Sequence, residues 1–196
     1  MNHAPAAPCV LLVEDDHGAA IAGTPLHPLA GVTRHWAFIR SAAKAYGPDL
    51  RLAVLAGDPR TLERVQGRQR LGPGWVSHLL QNVMVELWRD AAATQRVADA
   101  EAAYRAARTG LCAALADRGV LAHGRSGLNV WIPVPDEAVA MTALFAAGWA
   151  AAPGARFRIR ATPGLRITVA ELALADIEPL ADAVAEAVRG AGRASV

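Results

Sequence analysis

Hydrophobic positions recur along this chain with two different periods. "CVLLVEDD", "HWAFIRS" and "DLRLAVLAGD" are short apolar runs of the length of buried strands, the first ending in acids. Between the first two, "HGAAIAGTPLHPLAG" carries Gly and Pro throughout and predicts a loop with at most one helical turn. "TLERVQGRQRL" predicts a helix that stops at "GPG", residues 72–74, and "WVSHLLQNVMVELWRD" predicts another. Residues 91–118 form the longest helical pattern, with Val97, Tyr104, Leu111 and Leu115 on one stripe and Gly119 as its stop. Beyond it, "GLNVWIPV" predicts a strand and residues 136–148 a buried helix ending near Gly148. "RFRIRA" and "GLRITV" predict two strands, and residues 176–189 a closing helix with Ile177, Leu180, Val184 and Val188 on one face. The organisation is an α/β piece over residues 1–90, a connecting helix over 91–118 and a small α+β piece over 119–196.

The totals narrow the function classes. Hydrophobic content of 53% against 19% charged predicts a packed core. The net charge of +2, with scattered arginines, does not mark a nucleic-acid binder. Cys9 and Cys112 lie in unrelated settings, which is neither a disulfide framework nor a metal site and fits a reducing cytoplasm. The start has no basic region ahead of a long apolar run, so a signal peptide is not expected. The longest weakly polar run, residues 138–152, is too short to span a bilayer.

Lys44 is the only lysine among 20 basic side chains. Arginine replaces lysine at little cost on a solvated surface, but guanidinium cannot give up its proton. An amine can, and then attacks carbonyls to form a Schiff base. The alternative is a leftover surface lysine, and the neighbours decide. "VLLVEDD" also resembles the opening of a response-regulator receiver domain, whose acids hold Mg²⁺. Gly18, Gly23, Pro25 and Pro28 interrupt the helix that fold needs, and Val54 stands at its phosphoacceptor position. No second lysine follows.

Asp15, Ser41, Lys44 and Arg51 each lie at or near the end of a predicted strand, where open α/β sheets bind ligands. The set suits pyridoxal 5'-phosphate (PLP): an amine for the Schiff base, a carboxylate for the protonated pyridine nitrogen, and a hydroxyl and a guanidinium for the phosphate. Taken singly, Arg51 also reads as a surface salt bridge and Ser41 as a helix cap.

"SAAKAYGPDLRLAV" resembles the Schiff-base segment of class I/II, fold-type I aminotransferases, with S-x-x-K followed by P-x-L-R. "LLVEDDHG" is similar to the aspartate strand of that family, and "LGPGWVSHLLQ", "SGLNVWIPV" and "PGLRITVAEL" resemble further segments in the same order. The details look most like the aminotransferase-like domain of MocR-type, GntR-family transcription regulators. The resemblance implies the C-terminal part of the large-domain sheet, a long connecting helix and a small α+β domain. It implies Lys44 as the Schiff-base residue, Asp15 as the pyridine-nitrogen partner with Asp16 as fallback, and Ser41 and Arg51 as phosphate ligands. Arg166 matches the arginine that grips a substrate α-carboxylate; the alternative is that Arg156, Arg158, Arg160 and Arg166 form the charged outer face of a hairpin. Two positions depart from the pattern. His17 stands near where a tyrosine touches the cofactor's phenolate oxygen, and Ala43 replaces the hydroxyl residue before the lysine.

Members of that family are about twice as long, so the chain is expected to be the C-terminal portion of a longer protein. The implied partners are an amino acid or amine ligand and a second subunit in a homodimer. DNA would be contacted only through a domain outside this chain, and neither a metal nor a membrane is expected. A ligand-sensing regulator domain is the first functional expectation, a working aminotransferase the second, and a degenerate remnant the third.

Overall fold

The structure is a computed structural model and describes residues 10–194; Cys9 lies outside them. The chain divides into two compact units between Ala98 and Asp99.

The first unit is built on a three-stranded sheet of order β1-β2-β3, with β1 at Leu11–Asp16, β2 at His35–Ser41 and β3 at Ala53–Gly57. β1 runs parallel to β2, and β3 antiparallel to it. The register sets Asp15 beside Ile39, Asp16 beside Arg40, and Ser41 beside Ala53. Paired residues share a face, so Asp15 and Ser41 lie on one side of the sheet and Asp16 and Arg40 on the other. The intervening loop contains one 3₁₀ turn, Ala19–Ile21, anchored by the buried Ile21, as its glycines and prolines predict.

The expectation of strands buried on both faces does not hold for β1. Val10, Leu11 and Val13 are about half exposed, at 55%, 48% and 54%. β1 is an edge of this sheet, with β2 on one side only. An apolar run specifies a strand that needs covering, but it cannot supply the covering layer.

After β2 the chain makes one short helix, α1 (Ala43–Tyr46), then β3, then α2 (Pro59–Leu71). Asp58 caps α2: its Oδ1 accepts from the Thr61 N–H at 3.2 Å and lies 3.2 Å from His35 Nδ1. Its Oδ2 accepts from the Trp36 N–H at 2.9 Å. The Thr61 hydroxyl leads the bonds that outweigh burial and hold the Asp58 carboxyl far below the usual carboxylate range. This one carboxylate therefore fixes the start of α2 to the start of β2. α3 (His78–Arg89) begins after a Ser77 cap, three residues later than the sequence pattern suggests, and Trp75 stays exposed.

α4 (Ala91–Asp117) is the long predicted helix. Its buried stripe is Ala107, Leu111, Ala114 and Leu115. Gly119 ends it at φ 71°, where the Gly119 and Val120 N–H groups bond back to Ala116 and Leu115.

The second unit has a fully antiparallel sheet, order β4-β6-β5, with β4 at Asn129–Pro133, β5 at Ala152–Pro153 and β6 at Gly164–Thr168. Val130, Ile132, Leu165 and Ile167 point into the core, and Trp131 and Arg166 sit opposite one another on the other face. α5 (Glu137–Ala146) and α6 (Ile177–Ala194) also contribute to that core. Ile177, Leu180 and Val184 are buried on the predicted face of α6, and Val188 packs against the same cluster. α5 is less buried than its composition suggests: Ala140 and Leu144 face the core, while Phe145 is exposed.

One predicted strand is replaced by another structure. "RFRIRA" alternates like a strand, yet residues 154–156 form a 3₁₀ turn and the chain then bends. The Phe157 and Arg158 N–H groups both bond back to Gly154, and the Glu137 carboxylate collects the Ala155 N–H and the Arg158 guanidinium. These local acceptors curl the segment, and Ile159 is left 96% exposed.

Candidate functional site

In the first unit, three sequence-selected residues occur within one β2–α1–β3 passage. Ser41 is the last residue of β2, and its Oγ accepts from the Ala43 N–H at 3.3 Å. Buried Ala42 anchors α1, its N–H bonding to the Leu52 carbonyl at 3.0 Å. Lys44 stands exposed on that short helix and makes no hydrogen bond or ion pair to any described residue. Gly47 then turns the chain at φ 123°, a conformation that suits glycine, and the Arg51 N–H bonds to Asp49 O within the turn leading to β3.

Ser41 and Arg51 line the same cleft, about 190 Å³, together with Ala43, Leu50, Leu52 and Ala53. A hydroxyl and a guanidinium facing one cleft form a donor set for a phosphate. A larger cavity, about 320 Å³, touches Ser41 too, but Leu26, Ala45, Tyr46, Leu52 and Trp88 make most of its wall apolar, and Lys44, Arg51 and Asp15 lie outside its lining. The smaller cleft holds both candidate phosphate donors, and Lys44 and Asp15 lie outside the lining of either cavity.

Asp15 and Asp16 are distinguished by their partners. Asp16 accepts from Arg40 Nε and Nη2 at 3.0 and 2.8 Å, and Arg40 also lies over the Phe38 ring. Asp15 is exposed, with only a 3.9 Å approach from His17 Nδ1. It lies on the Ser41 face, and Asp16 on the opposite one. Of the two, Asp15 keeps a carboxylate available on the side where Ser41 lies. His17 is exposed beside it.

In the second unit Arg166 does not form the outer face of a hairpin with the neighbouring arginines. It stands on β6 between buried Leu165 and Ile167, opposite Trp131 of β4 and Ala152 of β5. The Phe157 ring stacks on its guanidinium, with the carbon 3.8 Å from the ring centroid. Its Nε is sealed from solvent and has no hydrogen-bond partner. Arg158 is engaged by Glu137 at 3.0 Å. Glu137 also accepts from the Ala155 and Gly164 N–H groups at 2.9 and 3.0 Å. Burial pushes the Glu137 carboxyl up, but those N–H groups and Arg158 outweigh it and hold it below its usual range.

The sequence reading missed Glu137, Trp131 and Phe157. Glu137 reads locally as an acid in a first helical turn, and Trp131 and Phe157 as strand aromatics. The Pro153-Gly154 and Pro163-Gly164 pairs were the available signals, because each glycine sits where a Cβ would collide with the Trp131 indole. Among the described residues no cluster of His, Cys, Asp or Glu is arranged to hold a metal. No described helix is long and apolar enough to cross a membrane.

The sequence profile of the family described as "Aminotransferase class I and II" matches residues 1–184. The vitamin B6 salvage pathway transcriptional repressor PtsJ of Salmonella typhimurium is 36% identical over 185 residues, which is 92% of this chain and 43% of PtsJ. Among solved structures, LysN, an α-aminoadipate aminotransferase from Thermus thermophilus complexed with N-(5'-phosphopyridoxyl)-L-leucine, aligns with a TM-score of 0.76 at 18% identity. That alignment covers 94% of this chain and 51% of LysN. An aminotransferase from Mycobacterium tuberculosis aligns with a TM-score of 0.78 at 23% identity, over 92% of this chain and 49% of the other. The chain spans about half the length of the proteins it matches.

Proposed function

This chain belongs to the class I and II aminotransferase family, and from that membership we propose that it is part of the PLP-binding, effector-sensing domain of a MocR-type transcription regulator. The observation that carries the reading is the 36% identity to a vitamin B6 salvage repressor across 92% of the chain. The donor set supports PLP as the bound group. In this reading Lys44 Nζ would attach it covalently, Ser41 and Arg51 would hold its phosphate, and Asp15 would pair with its ring nitrogen. His17 is a further contact in the neighbourhood of Asp15. When bound, PLP supplies an electrophilic carbonyl and an electron-withdrawing ring.

The chain's own residues do the rest. The Ser41 hydroxyl donates to a phosphate oxygen while Arg51 adds a charge-assisted contact. The Asp15 carboxylate keeps a proton on the ring nitrogen. Lys44 would be the residue available to hold or move a proton. Arg166 takes the ligand's carboxylate. The ligand is an amino acid or amine, the whole protein a cytoplasmic homodimer, and DNA is contacted through a domain outside this chain.

The test is reduction with borohydride in the presence of PLP, followed by peptide mapping of the full-length protein. The expected label is on Lys44 and is lost in Lys44→Ala and Lys44→Arg. A label only on the N-terminal amine overturns the assignment. A second reading, a working aminotransferase, is supported by the match of residues 1–184 to the class I and II aminotransferase family. The two separate on the full-length protein. PLP-dependent change in operator binding supports the regulator, whereas amino-group transfer from amino acid to 2-oxo acid at enzymic rates supports the transaminase.

A further inference from the structure

Resting on the reading of Arg166 as a carboxylate grip, we propose that Glu137 is a positioning residue for that grip, acting through the loop that carries Phe157. Glu137 lies at the start of α5, and its carboxylate is largely buried. Oε2 accepts from the Ala155 N–H, just after β5 ends, and Oε1 accepts from the Gly164 N–H, where β6 begins. The loop between the strands is thus tied at both ends to one side chain. Oε1 also takes Arg158 Nε from within the loop; the Arg156 guanidinium lies 6.0 Å from the Phe157 centroid, farther than Arg166 at 3.8 Å.

The consequence falls on Arg166, two residues beyond Gly164. Phe157 lies flat on its guanidinium at 3.8 Å, and Trp131 flanks it across the β4–β6 ladder. Trp131 is wedged against Gly154 and Gly164, so no larger residue fits at either loop end. A guanidinium stacked this way loses rotational freedom, and its fork plane is fixed before a ligand arrives. Its Nε–H is sealed and unpaired, which leaves the terminal amino groups of the fork to meet a ligand. A carboxylate is the acceptor whose two oxygens match the fork. The device therefore favours ligands bearing a carboxylate beside the amine over amines that lack one.

The test uses full-length protein loaded with PLP, and two probes, L-alanine and ethylamine, with binding followed by calorimetric titration. Glu137→Gln and Phe157→Leu are each expected to weaken L-alanine by about tenfold or more while ethylamine changes by less than about twofold. Phe157→Tyr, which keeps a flat ring, is expected to behave as wild type. If both probes weaken together, Glu137 is only a general brace and the proposal fails. Arg166→Gln separates the two levels. If it abolishes the preference for L-alanine while Glu137→Gln and Phe157→Leu leave it intact, the positioning role is wrong and the grip stands. If Arg166→Gln leaves the preference intact, the grip itself is wrong. Should Glu137→Gln fail to fold, the Phe157→Leu and Phe157→Tyr pair decides the question.

Discussion

Asp16 and Arg40 face each other across the β1–β2 ladder, and the arginine places two donors, at 3.0 and 2.8 Å, on one aspartate oxygen. The neighbouring Asp15 lies on the other face and has only the 3.9 Å approach of His17. One acid of the pair is held by an arginine and the other is exposed.

Asp15→Asn should therefore leave the fold unchanged but weaken the pyridine contact. The expected result is a changed absorption spectrum of bound PLP and weaker cofactor binding, with an unchanged melting temperature of the cofactor-free protein. Asp16→Asn should do the reverse, lowering the melting temperature slightly, since a partly exposed ion pair contributes about 1 kcal/mol or less. Spectra and melts of both variants in full-length protein check the assignment.

Arg51→Ala should reduce PLP affinity without abolishing covalent attachment at Lys44. Losing one charge-assisted phosphate contact costs about 1.5–3 kcal/mol, or roughly ten- to hundredfold in affinity. Equilibrium titration of PLP measures it. Affinity equal to wild type would place the phosphate away from the Ser41–Arg51 cleft.

Asp58 predicts an acid-sensitive start to α2. Its folded-state pKa is depressed, so its contribution to stability is present above the ordinary aspartate value of 3.8 and is lost as pH falls below it. The protection factor for hydrogen exchange at the first turn of α2, corrected for the intrinsic pH dependence of amide exchange, should fall on acidification through that range. In Asp58→Asn, which cannot ionise, the same turn should show a flatter pH dependence and less protection at neutral pH.

The exposed edge at β1 predicts self-association of these 196 residues when expressed alone. An uncovered strand edge offers unpaired backbone groups to another chain, and a charge on it discourages that pairing. Sedimentation velocity should show concentration-dependent association that Val13→Lys reduces. A monomer with strong exchange protection across residues 10–56 would show that the sheet needs no further cover.

The sequence by itself determined which segments become strands and helices wherever a period ran unopposed. Leu111 and Leu115 on α4, Ile177, Leu180 and Val184 on α6, and the apolar runs of β1 and β2 are local patterns, and local patterns survive without knowledge of neighbours. Lys44 stood out because it is the single amine retained among arginines. Tertiary structure alone decided the rest. The difference in surroundings between Asp15 and Asp16 depended on ladder register, which sets them on opposite faces and gives Arg40 to one of them. The alternation of "RFRIRA" lost to Glu137, a residue 18 positions before Ala155, because a buried carboxylate must be satisfied and the loop's N–H groups satisfy it. The stacking of Phe157 on Arg166 followed from that capture, since it needs the chain to curl back over β6, and no strand period encodes such a turn.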